Sequence, residues 1–537
     1  MKRLFLSFLA TVMLFTTVAC SGGDGGETTT EKAPDVSKPY SEWMSAGFYK
    51  NTQNYEGPEE KLTEYEMIMA KNESELCQIS IRTPEAMRGV SLEIKGKVPE
   101  GIKVGLFEIK TVKIENDRWP DGLVPVTEGK TFDLQKNKTA SFLVKLTSDP
   151  DVKAGEYTVT VVLKDKDGKT LSEYKISVNV IDVAIPETPA MDCWFAIGRD
   201  SLAKYYLGKG RGQELNAEEQ AELDRLYKLY YDFLLDYGVS GFELPYDILD
   251  PRADAYMSDP RVTVIGIAQG ENLDEAKIRA IYEKLKSNPV WFEKALYYPL
   301  DEPTTSAMLD ELTVRAQRFE ELAPGIRMTS AYYMGFNHSS GVDNTDYMMG
   351  VLNVMTPKLC LFEQLGANYK DRFKDYVNNG NELWTYVCWE PGKPFVNLYV
   401  NEQGIDHRLL FIQAYDVGAT GFLYWSANQW YDIETGNPWN NMATVPWLTY
   451  DVYGDGCLLY PGKDVGVDGP CGSLRLEAIR DGFEDVALLK IAEELVGRKN
   501  VDALVDKVSP SITMYATKPE TFASFRESLL KTIEKGK

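Results

Sequence analysis

The chain has 537 residues, 44% of them apolar and 26% charged, with a formal net charge of −23. That length exceeds one ordinary core, so at least two domains are expected. The acidic surplus works against a phosphate backbone or an anionic lipid surface, so neither nucleic acid nor direct membrane docking is expected. Only two histidines, His338 and His407, are present, which leaves little room for a histidine-rich metal site.

The chain opens with Lys2 and Arg3, an apolar stretch over 4–18, and the small-residue run Val18-Ala19-Cys20. This order predicts a cleaved leader over 1–19. The cysteine after small residues resembles a bacterial lipobox, although Thr17 stands where leucine is common. It predicts lipidation of Cys20 and a protein anchored in the cell envelope, at the outer membrane, with that anchor as its only membrane contact. The apolar stretch is short for a membrane span. Residues 20–38 are rich in Gly, Thr and Glu and read as a flexible tether. The remaining cysteines, Cys77, Cys193, Cys360, Cys388, Cys457 and Cys471, form no CxxC and are widely spaced. They read as buried thiols, with Cys457 and Cys471 the one plausible disulfide.

Over 39–186 the apolar residues recur every second position. Cys77, Ile79 and Ile81 form one face, Val90, Leu92 and Ile94 another, and Tyr157, Val159, Val161 and Leu163 a third. Tyr174, Ile176, Val178 and Val180 follow, and the Asp-Gly-bearing stretch 164–169 joins the last two as a hairpin. Repeated short strands predict a β-sandwich of immunoglobulin-like type. Pro186 and Pro189 interrupt the pattern, which places the boundary there.

From 190 to 537 strands alternate with amphipathic helices. Strands are predicted over 192–197, 239–244, 262–268, 294–300, 327–333, 351–355, 383–389 and 421–425. Helices are predicted over 217–237, 275–286, 304–322, 368–378 and 406–415, with a terminal helical region over 474–496 and 519–533. Asn216 and Glu219 have capping-box spacing ahead of the first of these. Eight strands alternating with helices predict a (β/α)8 TIM-type barrel.

In such a barrel chemistry gathers at the carboxyl ends of the strands. The candidates there are Asp301 and Glu302, together with Glu243, Tyr246, Tyr332, Tyr333, Trp389, Glu390, Trp425, Asn428 and Trp430. Carboxylates among aromatic rings and an amide suit carbohydrate, and no GxGxxG, P-loop or GxSxG motif is present. A plainer reading has Asp301 capping the following helix, with Pro303 in its first turn.

Four stretches carry a resemblance: Tyr298-Pro-Leu-Asp301-Glu302-Pro303, Gly421-Phe-Leu-Tyr-Trp425-Ser-Ala-Asn428-Gln-Trp430, Gly454-Asp-Gly-Cys-Leu-Leu-Tyr460-Pro-Gly462 and Arg475-Leu-Glu-Ala-Ile-Arg480-Asp-Gly-Phe-Glu484-Asp485. Together they resemble glycoside hydrolase family 123 and the related domain of unknown function 4091. Gly122 and Val486 depart from the pattern, where proline and tyrosine are usual. The resemblance implies an exo-acting, retaining hydrolase of terminal β-N-acetylhexosamine, specifically N-acetylgalactosamine, working by substrate-assisted catalysis. It implies Glu302 as acid and base, Asp301 as the partner of the 2-acetamido group, a glycan or glycoconjugate as substrate, and no metal or organic cofactor. Two alternatives stand beside it. One is a double-displacement glycosidase using Glu302 and Glu390. The other is a non-catalytic surface glycan-binding lipoprotein. The charged residues from Arg475 to Asp485 read as an ion-pair network holding the last helix to the barrel.

Overall fold

A computed structural model describes residues 39–366, 368–430, 436–442 and 452–536. The expected leader, the tether and the lipidation site Cys20 lie outside the described residues. No described helix is long and apolar enough to cross a membrane.

The alternating segment forms ten strands: β1 (Ser41–Ala46), β2 (Glu64–Lys71), β3 (Ser74–Arg82), β4 (Met87–Ile94), β5 (Ile102–Ile114), β6 (Asp117–Pro125), β7 (Phe132–Leu134), β8 (Thr139–Ser148), β9 (Gly155–Lys164) and β10 (Thr170–Ala184). They pair as two five-stranded sheets, β1-β3-β8-β5-β6 and β2-β10-β9-β4-β7. Every neighbour is antiparallel except β2 and β10. Strand alternation sends Cys77, Ile79, Ile81 and Val144 of one sheet, and Val159, Val161, Ile176 and Val178 of the other, into one shared core. The hairpin between β9 and β10 turns at Gly168, whose φ of 81° suits a residue without Cβ.

Eight parallel strands follow: β11 (Asp192–Phe195), β12 (Ser240–Gly241), β13 (Ile265–Gln269), β14 (Ala295–Tyr298), β15 (Arg327–Tyr332), β16 (Val354–Pro357), β17 (Glu382–Tyr386) and β18 (Gly421–Tyr424). Their order is β12-β11-β18-β17-β16-β15-β14-β13, so the barrel closes except for the seam between β12 and β13. Side chains stitch that seam: Thr263 N donates to Ser240 Oγ at 2.9 Å, and Cys193 N donates to Thr263 Oγ1 at 3.1 Å. β12 is shorter than the expected 239–244, because beyond Gly241 the side chain of Phe242 stacks inward on Trp194, ring centres 4.0 Å apart. Trp194, Val264, Leu296, Ala331, Val354, Trp384 and Leu423 fill the barrel.

The helix Ala217–Leu235 carries the expected capping box, with Asn216 accepting from Glu218 N and Glu219 N. The helix Ser306–Leu322 starts later than expected. Its cap is Thr305, whose hydroxyl accepts from Met308 N at 3.3 Å. Asp301 therefore does not cap it.

The charged segment at the start of the helix Leu474–Val496 does more than hold that helix to the barrel. Arg475, wholly buried, donates to Asp121 of β6 at 2.8 Å and to the carbonyls of Leu398 and Gly454. Arg408 joins Asp485 at 2.9 Å, Asp481 at 3.3 Å and Glu75 of β3 at 3.0 Å. Arg526, on the helix Pro519–Gly536, pairs with Asp485 at 2.6 Å, with Glu75 at 2.7 Å and with Glu73. The network thus ties the first β-rich region to the barrel, and Tyr40–Lys537 forms one compact unit. Gly122 has its own reason in this joint: a Cβ there would lie 2.4 Å from the Trp439 ring. Cys457 and Cys471 make no disulfide, and all six described cysteines are buried.

Candidate active site

β14 ends at Tyr298, and alternation points that ring into the barrel while Tyr297 faces outward, stacked on Phe319 at 3.9 Å. The Tyr298 hydroxyl accepts from Ala331 N at 3.1 Å and donates to Asp301 Oδ1 at 2.7 Å. A phenol fixed by β15 therefore aims the Asp301 carboxylate, which is otherwise exposed. The next residue, Glu302, has φ 40°, a left-handed backbone that non-glycine residues rarely adopt and that costs on the order of 1–3 kcal/mol. Its side chain is half-buried and accepts a short hydrogen bond from the Tyr386 hydroxyl at the end of β17.

Burial pushes the Glu302 carboxyl above its ordinary value. The Tyr386 hydrogen bond and Lys358 work the other way, while Asp301 and Glu390 add to the rise. The two adjacent carboxyls therefore sit in different surroundings, one open and one partly desolvated, each held by its own tyrosine.

Across the rim, Lys358 directly follows β16. It is 2% exposed, its Nζ lies 3.4 Å from Glu390 Oε2, and it faces the rings of Tyr333 at 4.7 Å, Tyr386 at 5.8 Å and Trp389 at 5.8 Å. A pocket of about 180 Å³ opens there, lined by Tyr333, Lys358, Cys360, Gln364 and Glu390, with Pro391, Gly392 and Phe395. On the other side Trp425 donates its indole N–H to Asp455 at 3.0 Å, and Tyr424 donates to the same carboxylate at 3.0 Å. Burial raises Asp455 to about 6. A larger cavity of about 990 Å³, between the strands near Trp43 and the last helix, shares no lining residue with this rim.

The structure thus gathers Asp301, Glu302, Tyr333, Trp389 and Glu390 around Tyr298, Tyr386 and Lys358, with Trp425 lining the barrel mouth. Other expected contacts are engaged elsewhere. Tyr332 is fully buried among the helices, its hydroxyl 2.7 Å from that of Tyr369, because it alternates with Ala331 and Tyr333. The buried side chain of Asn428 accepts from Gly198 N at 2.7 Å and donates to Gly198 O at 3.3 Å, so it pins a loop. Trp430 is 1% exposed and donates to Leu459 O. Glu243 is exposed and pairs with Arg199, and Tyr246 packs on Arg252. Tyr332, Asn428 and Trp430 are thereby withheld from a sugar, while Glu243 and Tyr246 each face an arginine.

Three residues of the site were not among the expected ones. Tyr298 and Tyr386 are inward-facing strand ends, a signal that alternation carries. Lys358 is a lone cation in the apolar run Val354-Met-Thr-Pro-Lys358-Leu-Cys360-Leu-Phe, a weaker one.

Residues 267–492 match the family model described as glycoside hydrolase 123, catalytic domain. The chain is similar to a solved family 123 glycoside hydrolase from Clostridium perfringens, studied for glycolipid glycan hydrolysis. The TM-score is 0.64 at 13% identity, over 93% of this chain and 98% of that one. A Bacteroides uniformis β-glucuronidase aligns over 72% of this chain and 45% of its own at 11% identity, with a TM-score of only 0.26. No curated protein matches the chain.

Proposed function

The chain carries a family 123 glycoside hydrolase catalytic domain, and on that premise we propose that it removes terminal β-linked 2-acetamido sugars, N-acetylgalactosamine first, with retention and by substrate-assisted catalysis. The observation that carries this is the strained, half-buried Glu302 beside an exposed Asp301, each fixed by a tyrosine rooted in a barrel strand. Glu302, its hold on the proton strengthened by burial and by the neighbouring charge, donates that proton to the glycosidic oxygen and later takes one from water. Tyr386 occupies Oε1, which leaves Oε2 for that transfer. Asp301 accepts from the acetamido N–H, so that the substrate's own carbonyl oxygen attacks the anomeric carbon. The leaving group departs as an alcohol, and the resulting oxazolinium is stabilised by the Asp301 charge. Tyr298 keeps that carboxylate aimed.

The deciding experiment is a panel of aryl glycosides of GalNAc, GlcNAc, Gal and Glc in both anomers. Turnover confined to β-linked 2-acetamido sugars is expected. Rapid turnover of a 2-hydroxy sugar with a covalent adduct on Glu390 transfers the nucleophile to that residue and replaces the mechanism with double displacement. We also propose that Cys20 carries a lipid that holds the enzyme in the envelope. Cys20→Ser should then move it out of the membrane fraction or block its processing, and unchanged fractionation rejects the anchor.

A further inference from the structure

Lys358 is a cation in a place that costs free energy, since a buried ammonium needs partners to stay charged. Burial pulls it down, but neighbouring acidic groups, Glu390 among them, outweigh that and raise it above its ordinary value. An ammonium has three N–H donors. Among the described residues its Nζ makes one hydrogen bond, the 3.4 Å contact to Glu390 Oε2. The other faces are covered by the rings of Tyr333, Tyr386 and Trp389, which attract the charge but accept no full hydrogen bond. Glu390 in turn keeps its second oxygen open. A donor with spare hydrogens and an acceptor with a spare oxygen therefore line the same pocket, one tyrosine ring away from Glu302.

We propose that Lys358 and Glu390 read two neighbouring, uncharged hydroxyls of the terminal sugar, and that their pocket ends the glycan after that one residue. This rests on the hydrolase reading above and goes beyond it by assigning a specificity pair. A sugar diol offers both donors and acceptors, which matches an ammonium beside a carboxylate. An anionic substituent does not fit, because it would meet the Glu390 carboxylate as well as Lys358. At about 180 Å³ the pocket is smaller than the roughly 300–1,000 Å³ that enclose drug-sized ligands, which suits one ring and not a continuing chain. Pro391, Gly392 and Phe395 complete its lining.

The test pairs changes in the substrate with changes in the protein, so that a shared hydrogen bond appears as non-additivity. With the full chain, kcat/KM is measured on the aryl glycoside that it hydrolyses and on the 3-, 4- and 6-deoxy forms of that glycoside. Wild type should lose roughly 10–100-fold at one or two adjacent positions, the worth of hydrogen bonds to charged groups. Lys358→Met should lose little further at one of them, and Glu390→Gln little further at its neighbour. A 6-sulfated or 6-carboxylated sugar should not be processed. If the deoxy penalties persist unchanged in both variants, the two residues are only structural and the assignment is overturned. If wild type shows no deoxy penalty at all, it is overturned without any variant, even should Lys358→Met fail to fold. The parent glycoside is whichever is turned over, so inactivity on 2-acetamido sugars defeats the acetamido mechanism while the cycle still decides the specificity pair. Should no glycoside turn over, the same cycle is read from tryptophan fluorescence titrations with GalNAc, GlcNAc, Gal, Glc and their deoxy forms, and a lack of non-additivity there overturns it equally.

Discussion

Two clusters of carboxylates in this protein use the same residue types to opposite ends, and their partners account for the difference. At the joint between the first β-rich region and the barrel, Asp121 is wholly buried, yet Arg475, Lys50 and Tyr460 outweigh the burial and hold it down at about 2. Glu477, equally buried, is lowered by Arg480 and Lys145 against the same desolvation. At the strand-end rim Glu302 is less buried, yet burial pushes it up, because the Tyr386 phenol and Lys358, shared with Glu390, offset that only in part and Asp301 adds to the rise. Burial raises every one of these acids, and the sign depends on whether the partners outweigh it. At Asp121 and Glu477 the cationic partners prevail and make a fixed, charged fastener, whereas burial still raises Asp481 and Glu73 in the same joint. The phenol partner of Glu302 leaves it aimed but able to gain and lose a proton.

The largest effect that sharpens this contrast should come from Glu302→Gln. It should lower kcat/KM on glycosides with poor leaving groups by about 10²–10⁴, the usual worth of a positioned general acid. The loss should shrink on aryl glycosides with good leaving groups, while the melting temperature stays put. Equal losses on both substrate classes would deny Glu302 the proton-donor role.

Arg475→Met should act on stability instead. It leaves Asp121 charged and buried, at a cost of roughly 3–5 kcal/mol, to be read from urea unfolding. The double variant with Asp121→Leu should recover part of that loss. The pH dependence has a definite sign. Asp121 titrates at about 2 in the folded state against roughly 3.9 unfolded, so its contribution is complete above about pH 4 and disappears as pH falls toward 2. A single variant as stable as wild type would show that the joint is not fastened by this pair.

Tyr298→Phe should cost roughly tenfold in kcat, the worth of one hydrogen bond aiming a charged group, with less change in KM. A change in KM alone would make Tyr298 a packing residue. The smallest effect is expected in the pH profile. As an acid that must be protonated, Glu302 should support activity at low pH and lose it as pH rises through its raised value. Tyr386 holds that value down by donating to the carboxylate, so Tyr386→Phe should move the alkaline limb upward. A limb that stays in place, or moves down, breaks the link between the phenol and the proton.

The sequence by itself determined what depends on near neighbours in the chain. The eight strands, the Asn216 capping box, the helix Leu474–Val496 and the position of Asp301-Glu302 at a strand end all follow from periods of 2 and 3.6 and from local side-chain to backbone bonds. Even a one-residue question, whether Tyr332 or Tyr333 faces the site, was open in the sequence. It turns on the register of β15, which its pairing with β14 and β16 sets. Tertiary structure alone decided the rest: that Tyr386 reaches Glu302 across 84 residues, that Lys358 stands between Glu302 and Glu390, that Asn428 serves Gly198, and that Arg475 crosses to Asp121. These contacts join residues from separate strands and from both β-rich regions. They are fixed by how the barrel closes and how the first sheets dock on it, and no local period in the chain records either.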